Sequence, residues 1–276
     1  MTKSLKVALL GLGLTSLNAA DYNWELTGLY EYMDSDFGDT KVAAGSIRYY
    51  VDSLDFGSSS LPKMEASIFE RLSFFELAYA EPLDLDELDV SAWGASYVHR
   101  NAASNHIFSA SYFRQEADDN SFEQSADVFE IGYGHYISDN WIVGVGVSRT
   151  KLEEEYISYL GEDSFSEELD AFTLNSSYIS SLGNDTWLSV HAELGKVESG
   201  PYTFALNAAY HISEDIGFLA GYEKIENTDF FTLTVGYSQY INESIALIVE
   251  VDTDFIDGEY YEDEVHTYRG GATFRF

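Results

Sequence analysis

Carboxylates dominate the chemistry available to this chain: 48 Asp and Glu stand against 14 Lys and Arg, with six His and no Cys. Many of the acids sit at alternate positions in segments whose other positions are apolar. Glu250 and Asp252 interleave with Val249 and Val251, and Glu25 and Glu31 lie out of phase with Trp24, Leu26 and Tyr30. Successive side chains of a β-strand point to opposite faces, so this spacing sends the acids to one face and the hydrophobes to the other. The polar face collects Glu25, Glu31, Glu76, Glu130, Glu193, Glu223, Glu250 and Asp252, with Arg48, Arg269 and Arg275 as its few bases. Lining water, such a face would concentrate cations and repel anions. Paired with the arginines, it would fill an interior instead.

Other chemistries find less support. His99, His106, His135, His191, His211 and His266 are scattered over separate segments, with no Ser/His/Asp or paired-acid signature, so no catalytic residue is assigned. His191 stands out because it shares a strand face with Ser189 and Glu193. Without Cys there is no disulfide, thiolate metal site or thiol nucleophile. The dense acids of Glu153 to Glu155 and Asp254 to Asp263 could attract hard divalent cations. They lack the spacing of a calcium loop, and a solvated acidic surface accounts for them. No cofactor or metal is expected, and the charge excludes nucleic acid as a partner.

The elements that must position these residues are strands. From Asp21 onward, alternating segments recur at approximately 21–33, 40–51, 70–81, 88–99, 105–116, 125–137, 140–152, 167–180, 184–196, 200–211, 215–225, 229–240, 244–255 and 265–276. Pro62, Pro82 and Pro201 fall between them, where no ladder N–H is needed. Turns 137–140, 182–185, 212–215 and 241–244 are compact and rich in Ser, Asn, Asp and Glu. Longer acidic connections, 153–168 and 256–264, alternate with them. Two of the turns, Tyr136 to Trp141 and Tyr240 to Ile245, read as copies of one hairpin. Residues 52–69 form an unusually long connection on the side of the short turns.

Lys3 and Lys6, the apolar run 7–14 and the small-residue site 17–20 read as a secretory signal peptide, residues 1–20, followed by one domain over 21–276. No stretch is long and apolar enough for a membrane helix. An acidic chain could be disordered, but 45% hydrophobic and 16% aromatic residues provide ample surface to bury. Trp24, Trp141, Tyr136, Tyr202, Tyr210, Tyr237, Tyr240 and Tyr268 are expected at strand ends or on outward faces, where amphipathic rings suit a membrane interface. A sugar-binding aromatic slide would need several rings facing inward, and only a few, such as Tyr50 and Tyr136, are placed there.

The last strand, Val265 to Phe276, carries Tyr268, Gly270, Ala272, Phe274 and Phe276 on one side and Thr267, Arg269, Gly271, Thr273 and Arg275 on the other. It resembles the C-terminal strand of bacterial outer-membrane β-barrels. In that family Arg269, Gly271, Phe274 and Phe276 would match the pattern recognised by the barrel-assembly machinery. Leu61 to Ser73, with Pro62, Glu65, Ala66 and Phe69, followed by Phe75, Leu77 and Tyr79, resembles an element of general porins of the Gram-negative outer membrane.

These resemblances imply an all-β, transmembrane antiparallel barrel of about fourteen strands, twelve or sixteen being the alternatives. They imply export to the outer membrane and contact with its lipid and lipopolysaccharide. The implied function is passive diffusion of ions and small hydrophilic solutes by a monomer or trimer, to which the excess of inward acids over Arg48, Arg269 and Arg275 adds an expected preference for cations. Rival readings are an adhesin, a receptor or a membrane-embedded hydrolase. No long loop offers the inward constriction of classical trimeric porins.

Overall fold

A computed structural model describes residues 21–34, 39–55, 61–83, 89–101, 103–118, 122–158, 161–198, 200–226, 228, 230–258 and 261–276. The expected signal peptide, 1–20, lies outside the described residues. Fourteen antiparallel strands close into a barrel. In chain order they are β1 (Asp21–Asp34), β2 (Thr40–Asp55), β3 (Phe74–Pro82), β4 (Asp89–Asn101), β5 (His106–Asp118), β6 (Phe122–Ser138) and β7 (Trp141–Ser158). The second half comprises β8 (Gly161–Gly183), β9 (Thr186–Val197), β10 (Tyr202–His211), β11 (Ile216–Ile225), β12 (Phe231–Asn242), β13 (Ile245–Gly258) and β14 (Tyr261–Arg275). One short helix, α1 (Lys63–Phe69), lies between β2 and β3.

The alternation read from the sequence is the alternation of the wall. Leu77, Phe129, Ile131, Val147, Leu174, Val235 and Val249 are exposed on the outside, while the polar positions between them turn inward. Such an apolar exterior suits hydrocarbon rather than water. The turns obey local chemistry. Asn184 and Asp185 both have positive φ, of 54° and 56°, as a two-residue hairpin turn of the primed type requires. At Gly271 a side chain would run into the Gly28 carbonyl and the Leu29 side chain of β1, so the close approach across the closing strands accepts only glycine.

The seam between the first and last strands is pinned by charge. Glu25 stands opposite Arg275 and Glu31 opposite Arg269. The Arg275 Nε donates to Glu25 at 2.6 Å, with both side chains almost wholly buried, and the Arg269 Nε donates to Glu31 at 2.6 Å. A one-residue slip would send these charges to the apolar face, so the pairs fix the register as well as the closure.

Two expectations need correction. The acidic stretches 153–168 and 256–264 are mostly not loops: β7 and β8 remain paired as far as Ser158 and Gly161, and β13 and β14 as far as Gly258 and Tyr261. Their alternating Ser, Glu and aromatic residues tolerate a two-faced hairpin, and the ladder continues past the apolar belt. Tyr240 is also not a girdle residue, and Tyr136, expected both among the girdle aromatics and inside, is inside. They point inward, at 1% and 3% exposure, because Tyr136 is in phase with the inward Glu130 and Tyr240 with Gly236, which faces Glu250 across the ladder, while the exposed Ile131 and Val235 hold the other phase.

The seam yields a stability prediction. Arg275→Leu leaves the Glu25 carboxylate buried with only Arg48 nearby and should cost about 3–5 kcal/mol, the range for breaking a buried pair. The readout is a lower temperature for loss of the compact, fast-migrating form on gels. The same change at Arg149, whose pair with Asp170 is solvent-exposed, should leave that temperature unaltered.

Candidate functional site

All eleven polar residues proposed from the sequence lie on the inward face, but they divide into two unlike walls. On β14, β1, β2 and β3 the directly opposed residues run Arg275, Glu25, Arg48, Glu76 in alternating sign. Arg48 donates to Glu25 at 3.3 Å and to Glu76 at 2.9 Å. A second row joins Glu250 on β13, Arg269 on β14 and Glu31 on β1, with Asp252 also bonded to Arg269. Charge on this wall is largely compensated.

Glu130, Glu193 and Glu223, on β6, β9 and β11, have no such bases. Glu193 and Glu223 are two strands apart on one register row, roughly 10 Å at the usual strand spacing. Glu193 lies in the electrostatic field of both other acids, and among the described residues none of the three forms an ion pair. The uncompensated negative potential of the interior therefore resides on the β6–β11 side.

The end of the barrel that carries Tyr22 and Phe276 is occupied. Residues 61–73 turn into the interior, with α1 lodged across it. Pro62 starts the helix with the fixed φ its position favours. Ala66 and Leu72 pack with Tyr22, Tyr50, Phe74, Tyr240 and Ala246, while Phe69 packs with Tyr136, Ile142, Ile179 and Trp187 on the far side. The segment thus touches both walls. The Tyr136 hydroxyl donates to the Ile68 carbonyl at 2.7 Å and the Tyr240 hydroxyl to the Lys63 carbonyl at 3.3 Å. The repeated hairpin of the sequence is a pair of tyrosines gripping the helix from two sides. Arg100 donates to the carbonyls of Ser67 and Leu72, which satisfies acceptors at the helix end.

One buried carboxylate centres this packing. Glu65, 6% exposed, accepts a 2.6 Å hydrogen bond from the Ser189 hydroxyl, with the Nε2 atoms of His191 and His211 at 3.4 and 3.6 Å. Burial pushes its pKa upward, but hydrogen bonds from His191, His211 and Ser189, together with the His191 charge, outweigh this and hold it at about 2. Although Ser, His and Glu meet here, the arrangement is not that of a nucleophile. The Ser189 hydroxyl donates its proton to the carboxylate at 2.6 Å, which leaves its oxygen only to accept from the His211 Nε2 at 3.4 Å, and Ser189 has no exposed surface.

The inward position of His191 beside Ser189 was readable from strand parity. Its meeting with Glu65, 126 residues away, was not, because the strand pattern gives no position to a helix in a connection. The porin-like element at Pro62, Glu65, Ala66 and Phe69 was the available signal: all four are buried in the plug. Among the described residues no group of three or more His, Asp or Glu could hold a metal ion. Tyr50 and Tyr136, the aromatics expected inside, are buried around α1 and are not open to a sugar.

The structure is similar to the crystal structure of the Acinetobacter baumannii outer membrane protein Omp33, at 18% identity over 93% of this chain and 99% of that one, with a TM-score of 0.66. It is also similar to CdiB from Acinetobacter baumannii, at 8% identity over 91% of this chain and 60% of that one, with a TM-score of 0.53. The Pseudomonas putida toluene transporter TodX aligns at 8% identity over 92% and 88% of the two chains, with a TM-score of 0.49. No family model and no curated protein matches the sequence. At these identities the likeness is one of fold: a closed antiparallel outer-membrane barrel.

The depressed Glu65 pKa has a signed consequence. Its folded value lies below the ordinary 4.5, so the stability it contributes is complete above about pH 5 and is lost as pH falls towards 2. Melting temperature should therefore decline over that window, and Glu65→Gln, facing the same Ser189, His191 and His211, should flatten the decline. An equally steep slope in the variant would assign the acid sensitivity to other groups.

Proposed function

We propose that this protein is an outer-membrane channel for passive diffusion of ions and small hydrophilic solutes, with a preference for cations. One observation carries this reading: a closed barrel with an apolar exterior encloses a polar, acid-rich interior, with one wall of that interior left uncompensated. The likeness in fold to outer-membrane barrels supports the location. In this orientation both termini, and the end filled by α1, face the periplasm. Residues 1–20 would direct export and be removed, taking Lys3 and Lys6 with them. Arg269, Gly271, Phe274 and Phe276 would serve recognition by the assembly machinery, and the exterior would meet lipid and lipopolysaccharide. A monomer and a trimer both fit this reading. No catalytic step is invoked.

The plug favours a second reading, a permanently closed barrel acting as a surface receptor or adhesin. Purified protein in a planar bilayer separates the two. Stepwise conductance is expected for the channel, whereas silence of demonstrably inserted protein with and without the plug would refute it.

Cation preference should follow Glu130, Glu193 and Glu223. Replacing all three by Gln should move the reversal potential in a salt gradient towards neutrality, with a larger effect at low salt, because screening limits the field to about 8 Å near physiological ionic strength. Glu250 and Asp252 are weaker probes than their strand pattern implies, since both are held by Arg269. An anion-preferring wild type would overturn the charge mechanism and leave the barrel intact. Separately, deletion of Phe276 should reduce the amount of folded protein reaching the membrane. The terminal strand keeps its pairing with Trp24 only through that residue's backbone.

A further inference from the structure

The segment 61–73 is attached to the barrel in a manner unlike any part of the wall. Wall strands are joined along their full lengths by backbone ladders, whose rupture would strand polar groups in hydrocarbon. The helix is held mainly by side chains. Among the described residues one backbone bond joins it to the far wall, from the Lys63 N–H to the Glu214 carbonyl at 3.0 Å, beside the Lys63–Asp215 pair at 2.6 Å. Its contacts with Ser189, His191, His211, Arg100, Tyr136 and Tyr240 use donors on the wall that water could satisfy if the helix left. The carboxylate, ammonium and carbonyls of the helix could likewise be hydrated.

The far end of the segment has the form of a hinge. Arg71 adopts φ of 64°, the left-handed region that costs a non-glycine residue about 1–2 kcal/mol. Side-chain contacts hold it there: its guanidinium lies 4.4 Å from the Tyr136 ring centre and donates to Asn105 at 2.5 Å and Asp139 at 2.8 Å. Two residues on, the Ser73 carbonyl accepts from the Val51 N–H and ties the segment to β2. Strain at one end, a fixed tether beside it and hydratable contacts elsewhere describe an element with two positions.

The geometry points to a gate: residues 61–73 are a stopper that leaves the barrel interior to open the channel, with Glu65 as its latch and Arg71 as its hinge. The inference rests on the channel reading above. It adds that the lumen is closed at rest and that closure is set by the polar contacts of one helix. Glu65→Ala removes the acceptor shared by Ser189, His191 and His211 and should raise the open fraction about tenfold or more, the scale of a hydrogen bond to a charged group.

The Cys-free chain permits a direct test. Lys63 and Glu214 have adjacent backbones, the arrangement a disulfide can bridge. In a planar bilayer, oxidised Lys63→Cys/Glu214→Cys should be silent and should conduct when a reductant is added. A chain lacking residues 61–70 should stay open, with larger steps. Equal conductance of the cross-linked and reduced forms would overturn the gate while leaving the channel standing. Silence of the deleted chain, shown by gel migration to be folded and inserted, would overturn the channel and the gate with it.

Discussion

The backbone of a sheet exposed to hydrocarbon must satisfy its polar groups within the protein, and closure of β1 on β14 is what achieves this. Every other feature depends on that ring. It removes the edges on which an acidic, aromatic-rich chain would otherwise aggregate. It also creates an inside, where charged residues can stand on strands whose other face is apolar. The Arg275–Glu25 and Arg269–Glu31 pairs link the backbone requirement to the side chains, because the register that closes the ladder is the register that matches the charges.

Inside the ring, the chain's large excess of acid is handled in two ways. On the β13–β3 side, Arg48 is shared between two carboxylates and Arg269 among three, while Arg275 pairs with Glu25, so a strip of alternating sign costs little in field. On the β6–β11 side, no base among the described residues pairs with Glu130, Glu193 or Glu223, which face the interior space. The asymmetry follows from where the few bases fall. Outside the expected signal peptide, Arg48, Arg269 and Arg275 are committed to the seam region, and Lys63, Arg71 and Arg100 to the plug.

The plug shows how a large lumen is filled cheaply. A helix with its side chains is about 10–12 Å across, too slender to seal a fourteen-stranded barrel alone. The wall therefore contributes its largest side chains at that level: Tyr22, Tyr50, Tyr136, Trp187 and Tyr240. Arg275 extends this cluster, with its guanidinium 4.7 Å from the Tyr240 ring centre, so the seam and the plug share a residue. Glu65 is the buried carboxylate of this filling. A lone carboxylate there would be expelled or protonated, and it is the convergence of Ser189, His191 and His211 that keeps it charged.

The strand pattern was legible because its cause is local. A period of two in side-chain polarity encodes two faces, and it located all fourteen strands and the inward side of Glu25 through Arg275 without any knowledge of neighbours. Where strands end was less legible. Acidic hairpins such as Glu153 to Glu168 lose their apolar alternation once they pass the belt, although the backbone ladder continues. Pairing partners, and so the difference between the compensated and uncompensated walls, depend on which strands become neighbours on closing. Glu65 and His191 carry no local sign of each other. Their meeting required the β2–β3 segment to turn inward, a choice made by the space available inside the closed barrel and by the tyrosines that fill it. Sequence alone determined the barrel's two faces and the acid character of its interior, because both follow from residue type and period. Only the tertiary structure decided which acids are neutralised and that one end is stopped, because both depend on contacts between residues far apart in the chain.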